Sequence, residues 1–236
     1  MPPRIFIVAG ETSGDIHAAS LIREIRRREP DAVIEGLGGP RMEAAGCRLL
    51  TNMLGGLDVM WFGKFAGNLK RGFALQKLAL DHLDEHGADV VVLVDYPGFN
   101  LHLAKNIEKR GVPIVYYIAP QIWAWWLSRW KKIKRRIARV LVIFPFERDL
   151  YEGFDIPVEY VGHPMFDHMA HLEVDEGFEA EVRRSGAETL VALLPGTREQ
   201  HIRGKLPVML KAARRILDAG VDAHFVVPCV DEARRE

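Results

Sequence analysis

The sequence predicts an α/β fold in which a parallel sheet is covered by helices on both faces. Continuous apolar runs at 5–9, 91–94 and 140–144 are typical of strands buried on both faces, because a half-exposed strand would alternate polar and apolar residues. Repeated strand, loop and helix units favour a doubly wound sheet. The 236 residues suffice for one full domain and part of another.

The charge is balanced, with 32 lysines and arginines against 32 aspartates and glutamates. Net charge therefore gives no reason to expect nucleic acid or a membrane as partner. Cys47 and Cys229 have no CxxC or histidine-rich neighbourhood, so we expect no disulfide framework, no zinc site and a reducing cytoplasm. The apolar run at 5–9 is too short for a signal peptide or a membrane span, and no later run reaches spanning length.

The first predicted strand runs into the loop 10–15, with the sequence GETSGD. We expect a helix from about 15 to 28, with Thr12 or Ser13 as N-cap and with backbone N–H groups available to an anion. Glu11 would repel a phosphate, so a sugar amide or hydroxyl is the better partner for it. The alternative is an ordinary capped turn between strand and helix.

A second strand over 32–37 and a short helix ending near 45 follow, and the pattern then breaks over 57–73. Aromatic residues and glycines cluster in that segment beside Lys64, Lys70 and Arg71. It is either the start of a buried helix over 65–86 or a loop that dips into a lipid interface. The second interpretation predicts four membrane contacts: Met60, Trp61, Phe62 and Phe65.

The strand at 91–94 ends in a carboxylate, Asp95. Pro97 cannot donate to a strand ladder and disfavours helix at Tyr96, so Asp95 is expected at the carboxyl end of the strand. In open α/β sheets that edge faces the ligand crevice, which makes Asp95 a candidate functional group. The alternative is that Asp95 only organises the turn or caps the helix that starts near Phe99.

A helix to about 110 and a strand over 112–118 precede the tryptophans Trp123, Trp125 and Trp126, which are typical of a binding wall or an interface. Seven cations follow without an acidic residue between them: Arg129, Lys131, Lys132, Lys134, Arg135, Arg136 and Arg139. Because this segment offers no acid for pairing along a helix, we expect an anionic partner. Nucleic acid, phosphorylated lipid and anionic membrane all remain open.

Strands are also predicted over 140–144 and 158–161, and the histidines beyond them (His163, His168 and His171) match no standard metal site. We place a domain boundary near 170, which gives an N-terminal Rossmann-like domain over 1–170. Residues 171–236 then supply a linker and the first βαβ unit of a second domain: strand 189–194, a helix to 219 and strand 223–227. The turn after the first of these strands suits a phosphate, through Gly196, Thr197 and Arg198.

Six motifs, in this order along nearly the whole chain, resemble those of lipid-A-disaccharide synthases: GETSGD at 10–15, DYPGFN at 95–100, APQIWAW at 119–125, PFE at 145–147, GHP at 162–164 and LPGTR at 194–198. Tyr96 and Gly98 stand where Ala and Asp are common in that family, and Thr197 stands where Ser is usual. The resemblance implies a GT-B glycosyltransferase, in which two Rossmann-like domains face each other across a cleft.

The resemblance also implies the reaction. UDP-2,3-diacylglucosamine would be joined with inversion to 2,3-diacylglucosamine 1-phosphate, forming the β-1,6-linked lipid A disaccharide and releasing UDP. Asp95 matches the family's proposed base, and a base of this kind contributes about 10²–10⁴-fold. The implied substrate-binding residues are Glu11, Ser13, Asn100, Trp123, Gly196, Thr197 and Arg198. No cofactor or metal is implied, because helix N-termini and Arg198 would stabilise the departing UDP dianion.

Diacyl substrates imply a cytoplasmic enzyme that is peripheral at the inner face of the cytoplasmic membrane, with no nucleic-acid partner. One alternative is another UDP-sugar GT-B enzyme, transferase or epimerase, which would not need the aromatic residues at 60–65. A second is a non-catalytic nucleic-acid-binding protein that stacks bases on Trp123 or Trp125 but has no use for Asp95. Because the family's uracil and ribose contacts would lie beyond Glu236, we expect these residues alone to bind UDP weakly and to turn over slowly or not at all.

Overall fold

A computed structural model describes residues 1–54, 65–125, 127–170, 176–184, 186–196 and 199–228. The chain divides into two compact units, Met1–Ala170 and His171–Glu236. Strands of the described residues form one seven-stranded sheet and one two-stranded sheet. No helix within the described part of the chain has both the length and the apolar character needed to cross a membrane.

The first unit alternates strands with helices. Its strands are β1 (Arg4–Ala9), β2 (Val33–Gly38), β3 (Arg48–Asn52), β4 (Val90–Val94), β5 (Ile114–Tyr117), β6 (Arg139–Val142) and β7 (Val158–Tyr160). Its described α-helices are α1 (Thr12–Arg28), α2 (Pro40–Ala44), α3 (Phe65–His86), α4 (Pro97–Ile107), α5 (Ile122–Trp125), α6 (Trp130–Arg136), α7 (Pro145–Glu152) and α8 (Pro164–Ala170). Two 3₁₀ turns, Glu108–Arg110 and Leu127–Arg129, follow α4 and α5.

The seven strands are all parallel, in the order β3-β2-β1-β4-β5-β6-β7. The chain winds outward from β1 in one direction to β3, and then from β4 in the other direction to β7. This is the doubly wound order, whose switch point lies between β1 and β4, where Ala9 pairs with Val94. The predicted fold class is confirmed, and the loops after β1 and β4 meet at the position where such sheets bind ligands.

The two central strands explain the continuous apolar runs. Phe6 and Val8 enter one hydrophobic cluster and Ile7 and Ala9 enter another, because successive side chains of a strand point to opposite faces. The β4 side chains divide in the same way, with Val92 and Val94 in the second cluster. The sheet core is therefore packed from both sides.

Two local expectations differ from the structure. Helix α1 begins at Thr12 rather than near 15, and its N-cap is Glu11, which makes no side-chain capping bond. Asp15 is buried and accepts hydrogen bonds from the backbone of α2 and the residue before it, at Gly39 N (3.0 Å), Arg41 N (3.1 Å) and Met42 N (3.0 Å). The β3 strand was not predicted, because its sequence RLLTN is half-exposed and contains no continuous apolar run.

The second unit contains α9 (Glu176–Arg184), β8 (Thr189–Ala192), α10 (Glu199–Asp218) and β9 (Ala223–Val226). The two strands pair in parallel, so β8, α10 and β9 form a βαβ unit. Several large apolar side chains of this unit are exposed: Leu190, Leu194, Val208, Leu210 and Val221. A sheet of two strands buries little surface and is marginal without further packing.

An ionic cluster surrounds Glu35, a buried residue of β2. Its carboxylate accepts hydrogen bonds from Arg4 Nη2 (3.3 Å) and Arg48 Nη2 and lies 3.0 Å from His82 Nε2. The His82 ring stacks on His86 with ring centroids 4.4 Å apart. Burial lowers the pKa of His82, and the charges of His86, Arg48 and Arg4 lower it further, opposed by Glu85. His82 is therefore harder to protonate in the folded chain than in the unfolded one.

The first prediction concerns pH. Below about pH 6.5, the usual histidine pKa, the unfolded chain binds a proton at His82 more readily than the folded chain. The free energy of unfolding should therefore fall as the pH drops below that value. Urea denaturation between pH 5 and 7.5 should give a weaker pH dependence for His82→Gln than for the unchanged protein. His224→Gln in the second unit is the matched control, and equal pH slopes for all three proteins would contradict the assignment.

Candidate active site

A cleft of about 320 Å³ opens beside the loops that follow β4, β5 and β6. Its lining comes from the residues after the carboxyl end of β4, from the turn after β5, from the 3₁₀ turn before α6, and from the segment between β6 and the start of α7. The lining residues are Asp95, Pro97, Ile118, Ala119, Pro120, Gln121, Ile122, Arg129, Ile143 and Glu147. The structure therefore places Asp95 at a concave site on the carboxyl edge of the sheet, where sequence reasoning put it.

The turn at Asp95 has an unusual backbone. Asp95 and Tyr96 both adopt left-handed conformations, with φ of 47° and 46°. Each such non-glycine residue costs on the order of 1–3 kcal/mol and persists only where surrounding contacts fix it. Here Asn100 Nδ2 donates to Val94 O (3.1 Å) and Asp95 O (2.7 Å), and Tyr116 Oη donates to Asp95 O (2.7 Å). Two buried side chains thus hold the strand end in this form.

The electrostatics of the turn suit proton transfer. Burial raises the pKa of the Asp95 carboxyl, and a hydrogen bond from the Tyr96 backbone partly opposes that shift. Burial and the nearby Asp95 charge also raise the pKa of Tyr116 well above its usual value, so its hydroxyl stays protonated and remains a donor. A half-buried carboxylate with a raised pKa binds a proton more readily than an exposed one, as a general base requires.

The loop after β1 packs directly against this turn. A Cβ atom at Gly10 would lie 2.3 Å from Tyr96 Cδ1. The Tyr96 ring can therefore cover the switch point only because Gly10 has no side chain. Glu11 is half-buried at the start of α1 and Ser13 is exposed within it. Among the described residues neither Glu11 nor Ser13 lines the cleft, although their loop adjoins the one that carries Asp95.

Trp123 does not line the cleft itself but is hydrogen-bonded to Glu147, which does. Its indole Nε1 donates to Glu147 Oε1 (3.1 Å), and the other oxygen of Glu147 accepts the Phe144 backbone N–H (3.2 Å). Glu147 is 1% exposed, whereas Trp123 is 46% exposed and packs edge-on against Phe146 with ring centroids 5.2 Å apart. Sequence reasoning missed Glu147 as a site residue, and the usual capping-box signature is lacking because Phe144 has no side-chain oxygen.

Most of the cations at 129–139 have partners within the chain. Four of them form ion pairs with acidic residues of other elements: Lys134 with Asp155 (3.2 Å), Arg135 with Glu108 (3.0 Å), Arg136 with Glu108 (3.2 Å) and Arg139 with Glu159 (3.4 Å). The Lys131 ammonium lies 5.7 Å from the Trp130 ring centroid. Acids from other elements therefore pair with four of the seven cations, and the expectation of an anionic partner stays a prediction.

The remaining site residues lie elsewhere. Asn100 is fully buried behind the Asp95 turn, and Gly196 lies in the second unit with φ of 109°. Phe65 is the first residue of α3. Predictions for five residues fall outside the described residues: Met60, Trp61, Phe62, Thr197 and Arg198. Within the described part of the chain, no three His, Cys, Asp or Glu residues are grouped to hold a metal ion.

Comparison with known proteins identifies the family. A family described as lipid-A-disaccharide synthetase matches residues 5–236. The chain belongs to the lipid-A-disaccharide synthase family. A lipid-A-disaccharide synthase of Myxococcus xanthus is 39% identical over 235 residues, which cover 100% of this chain and 61% of the relative. That of Trichlorobacter lovleyi is 40% identical over 236 residues, covering 96% and 59%. The chain therefore spans about 60% of the length of these relatives.

Solved structures share the fold of this lipid-A-disaccharide synthase family chain. A UDP-GlcNAc 2-epimerase from Neisseria meningitidis, solved with UDP-GlcNAc, has a TM-score of 0.64 at 10% identity, covering 97% of this chain and 66% of that one. The calicheamicin glycosyltransferase has a TM-score of 0.56 at 16% identity, covering 98% and 67%. At such low identity the likeness shows the fold alone, which is of the GT-B type.

The second prediction tests the support of the Asp95 turn. Asn100→Ala removes the side-chain donor to the carbonyl oxygens of Val94 and Asp95, and a buried oxygen left without its donor costs about 1–3 kcal/mol. Urea denaturation should show a loss of unfolding free energy in that range. Asn106→Ala, on the same helix α4, is the matched control and should change it by less than about 0.5 kcal/mol, as surface substitutions usually do. Equal stability of the two variants would show that Asn100 does not hold the turn.

Proposed function

We propose that residues 1–170 form the acceptor-binding domain of an inverting glycosyltransferase that joins UDP-2,3-diacylglucosamine to 2,3-diacylglucosamine 1-phosphate. Membership of the lipid-A-disaccharide synthase family supports this activity. The observation that carries it is the position of Asp95, a carboxylate with a raised pKa that lines a cleft at the carboxyl edge of the sheet. The product is the β-1,6-linked lipid A disaccharide, with UDP released.

In the proposed mechanism the 6-hydroxyl of the acceptor attacks the anomeric carbon of the donor as Asp95 removes its proton. The bond from that carbon to the UDP oxygen breaks in the same displacement, which inverts the configuration. A single base is sufficient, because UDP leaves as a stable anion and needs no protonation. The burial that raises the pKa of Asp95 makes the carboxylate a stronger base than an exposed aspartate, which favours the transfer.

We assign each of the other site residues either to the acceptor or to the nucleotide-sugar donor. Trp123 is 46% exposed and is hydrogen-bonded to Glu147 of the cleft wall, and it is proposed to pack on the acceptor sugar. Glu11 and Ser13 are proposed to bind its hydroxyl or amide groups from the adjoining loop. Asn100 acts through the Asp95 backbone. The second unit is proposed to begin the nucleotide-sugar domain, with Gly196, Thr197 and Arg198 at the diphosphate, and the reaction needs no cofactor.

The diacyl substrates support a peripheral location at the inner face of the cytoplasmic membrane. The proposed contacts are Met60, Trp61, Phe62 and Phe65, with the nearby cations Lys64, Lys70 and Arg71. The cations at 129–139 contribute less than their number suggests, because four of them are already paired. The same pairing removes much of the support for nucleic acid as a partner.

The third prediction concerns catalysis. Asp95→Asn keeps the shape of the side chain but removes the base, so turnover should fall by at least about 10²-fold. In the unchanged enzyme, kcat/KM should fall on the acid side with an apparent pKa above the usual aspartate value, because burial raises the pKa of Asp95. UDP release is measured in the full-length protein, with the exposed Asp31→Asn as control. Near-normal turnover of the Asp95 variant would refute the assignment.

The fourth prediction concerns the membrane. Lys70→Glu with Arg71→Glu should weaken binding to phosphatidylglycerol-containing vesicles by at least about tenfold at low salt, since each cation near such a surface contributes about 1 kcal/mol. Arg135→Gln with Arg139→Gln should weaken binding less, because Glu108 and Glu159 partly offset those cations. Cosedimentation measures both. Equal binding of the unchanged protein to neutral phosphatidylcholine and to anionic vesicles would rule out the electrostatic contribution.

A further inference from the structure

The cleft contains one positively charged side chain among its described lining residues. Arg129 ends the 3₁₀ turn Leu127–Arg129 and caps α6, whereas the two lining carboxylates, Asp95 and Glu147, follow β4 and β6. Arg129 therefore shares the wall of this cleft with Asp95, the proposed base.

The two carboxylates of the lining have different surroundings. Glu147 is almost fully buried and uses its oxygens on the Trp123 indole and the Phe144 backbone. Asp95 is the proposed base and must be able to accept a proton. A phosphate that enters this cleft would meet two negative charges, and Arg129 is the lining group that can offset them. A guanidinium also binds phosphate through paired hydrogen bonds, which makes it well suited to this role.

The size of the cleft limits what it can hold. A volume of about 320 Å³ lies at the lower end of the range for small-molecule sites. It suits a single sugar head group, so the acyl chains of a diacyl substrate must lie outside. In a hexosamine 1-phosphate, C1 and C5 both flank the ring oxygen, so the phosphate and the 6-hydroxyl lie on the same edge of the ring. An acceptor with its 6-hydroxyl at Asp95 therefore brings its phosphate close to that carboxylate, where the phosphate requires a positively charged ligand on the cleft wall.

We propose that Arg129 binds the 1-phosphate of the acceptor sugar and thereby sets the orientation in which its 6-hydroxyl reaches Asp95. This inference rests on the proposed function for the identity of the acceptor. It makes Arg129 a specificity-determining residue, because an acceptor without the phosphate loses the interaction. A lysine at this position would retain the charge but lose the planar pair of donors.

The test compares two acceptors in the full-length protein: 2,3-diacylglucosamine 1-phosphate and the same sugar without phosphate. Arg129→Gln should lower kcat/KM for the phosphorylated acceptor by about 10- to 100-fold, the loss expected for a charge-assisted hydrogen bond. It should leave kcat/KM for the other acceptor and the KM for the donor within about twofold of their original values, because neither involves this bond. Arg129→Lys should recover part of the loss, and Arg139→Gln, whose cation is paired with Glu159 on β7, is the control.

Equal losses for both acceptors, or a change confined to the donor KM, would overturn the proposal, since Arg129 would then be structural or would bind the UDP diphosphate. Calorimetric titration with glucosamine 1-phosphate and glucosamine provides a readout that is independent of turnover. The unchanged protein should prefer the phosphorylated sugar, and Arg129→Gln should lose that preference. If the preference is found but neither acceptor yields product, the proposed function fails while the phosphate site stands. Absence of any preference in the unchanged protein would refute the site.

Discussion

The carbonyl oxygen of Asp95 accepts two hydrogen bonds of 2.7 Å, one from Asn100 on helix α4 and one from Tyr116 on strand β5. Both donors are buried, so the peptide that follows β4 is fixed by elements on either side of it. Fixation of this kind is needed because two successive left-handed residues are costly and would otherwise relax. The position of the Asp95 carboxylate, the proposed base, therefore depends on a backbone contact that the carboxylate itself does not make.

The strands around this turn can be predicted from the sequence, whereas the contacts that hold the turn cannot. The strands at 5–9 and 91–94 are predictable because full burial requires apolar residues at every position, and Pro97 marks the place where β4 ends. The partners of Asp95 are not predictable from spacing, because Tyr116 is 21 residues away and reaches it only after β4 and β5 pair. The same holds for Glu147, which meets the Trp123 indole across 24 residues.

The cations at 129–139 show the same limit for electrostatics. Rules for pairs three or four residues apart on a helix find no acid in this segment, yet Glu108, Asp155 and Glu159 approach it from other elements. Arg136 has only 8% of its side chain exposed and also donates to the Leu101 carbonyl oxygen, which makes it part of the packing. A run of charged residues in a sequence therefore describes local composition and does not determine the electrostatic field that a ligand meets in the folded chain.

Tyr96 shows how one aromatic ring supports the turn at Asp95. Its side chain occupies the switch point between β1 and β4, where it is buried, stacks on Phe99 and lies against the Gly10 backbone. The ring therefore joins the loop that carries Glu11 to the turn that carries Asp95, which the sheet alone would only bring near each other. A movement of the first loop must displace this packed ring before it affects the carboxylate.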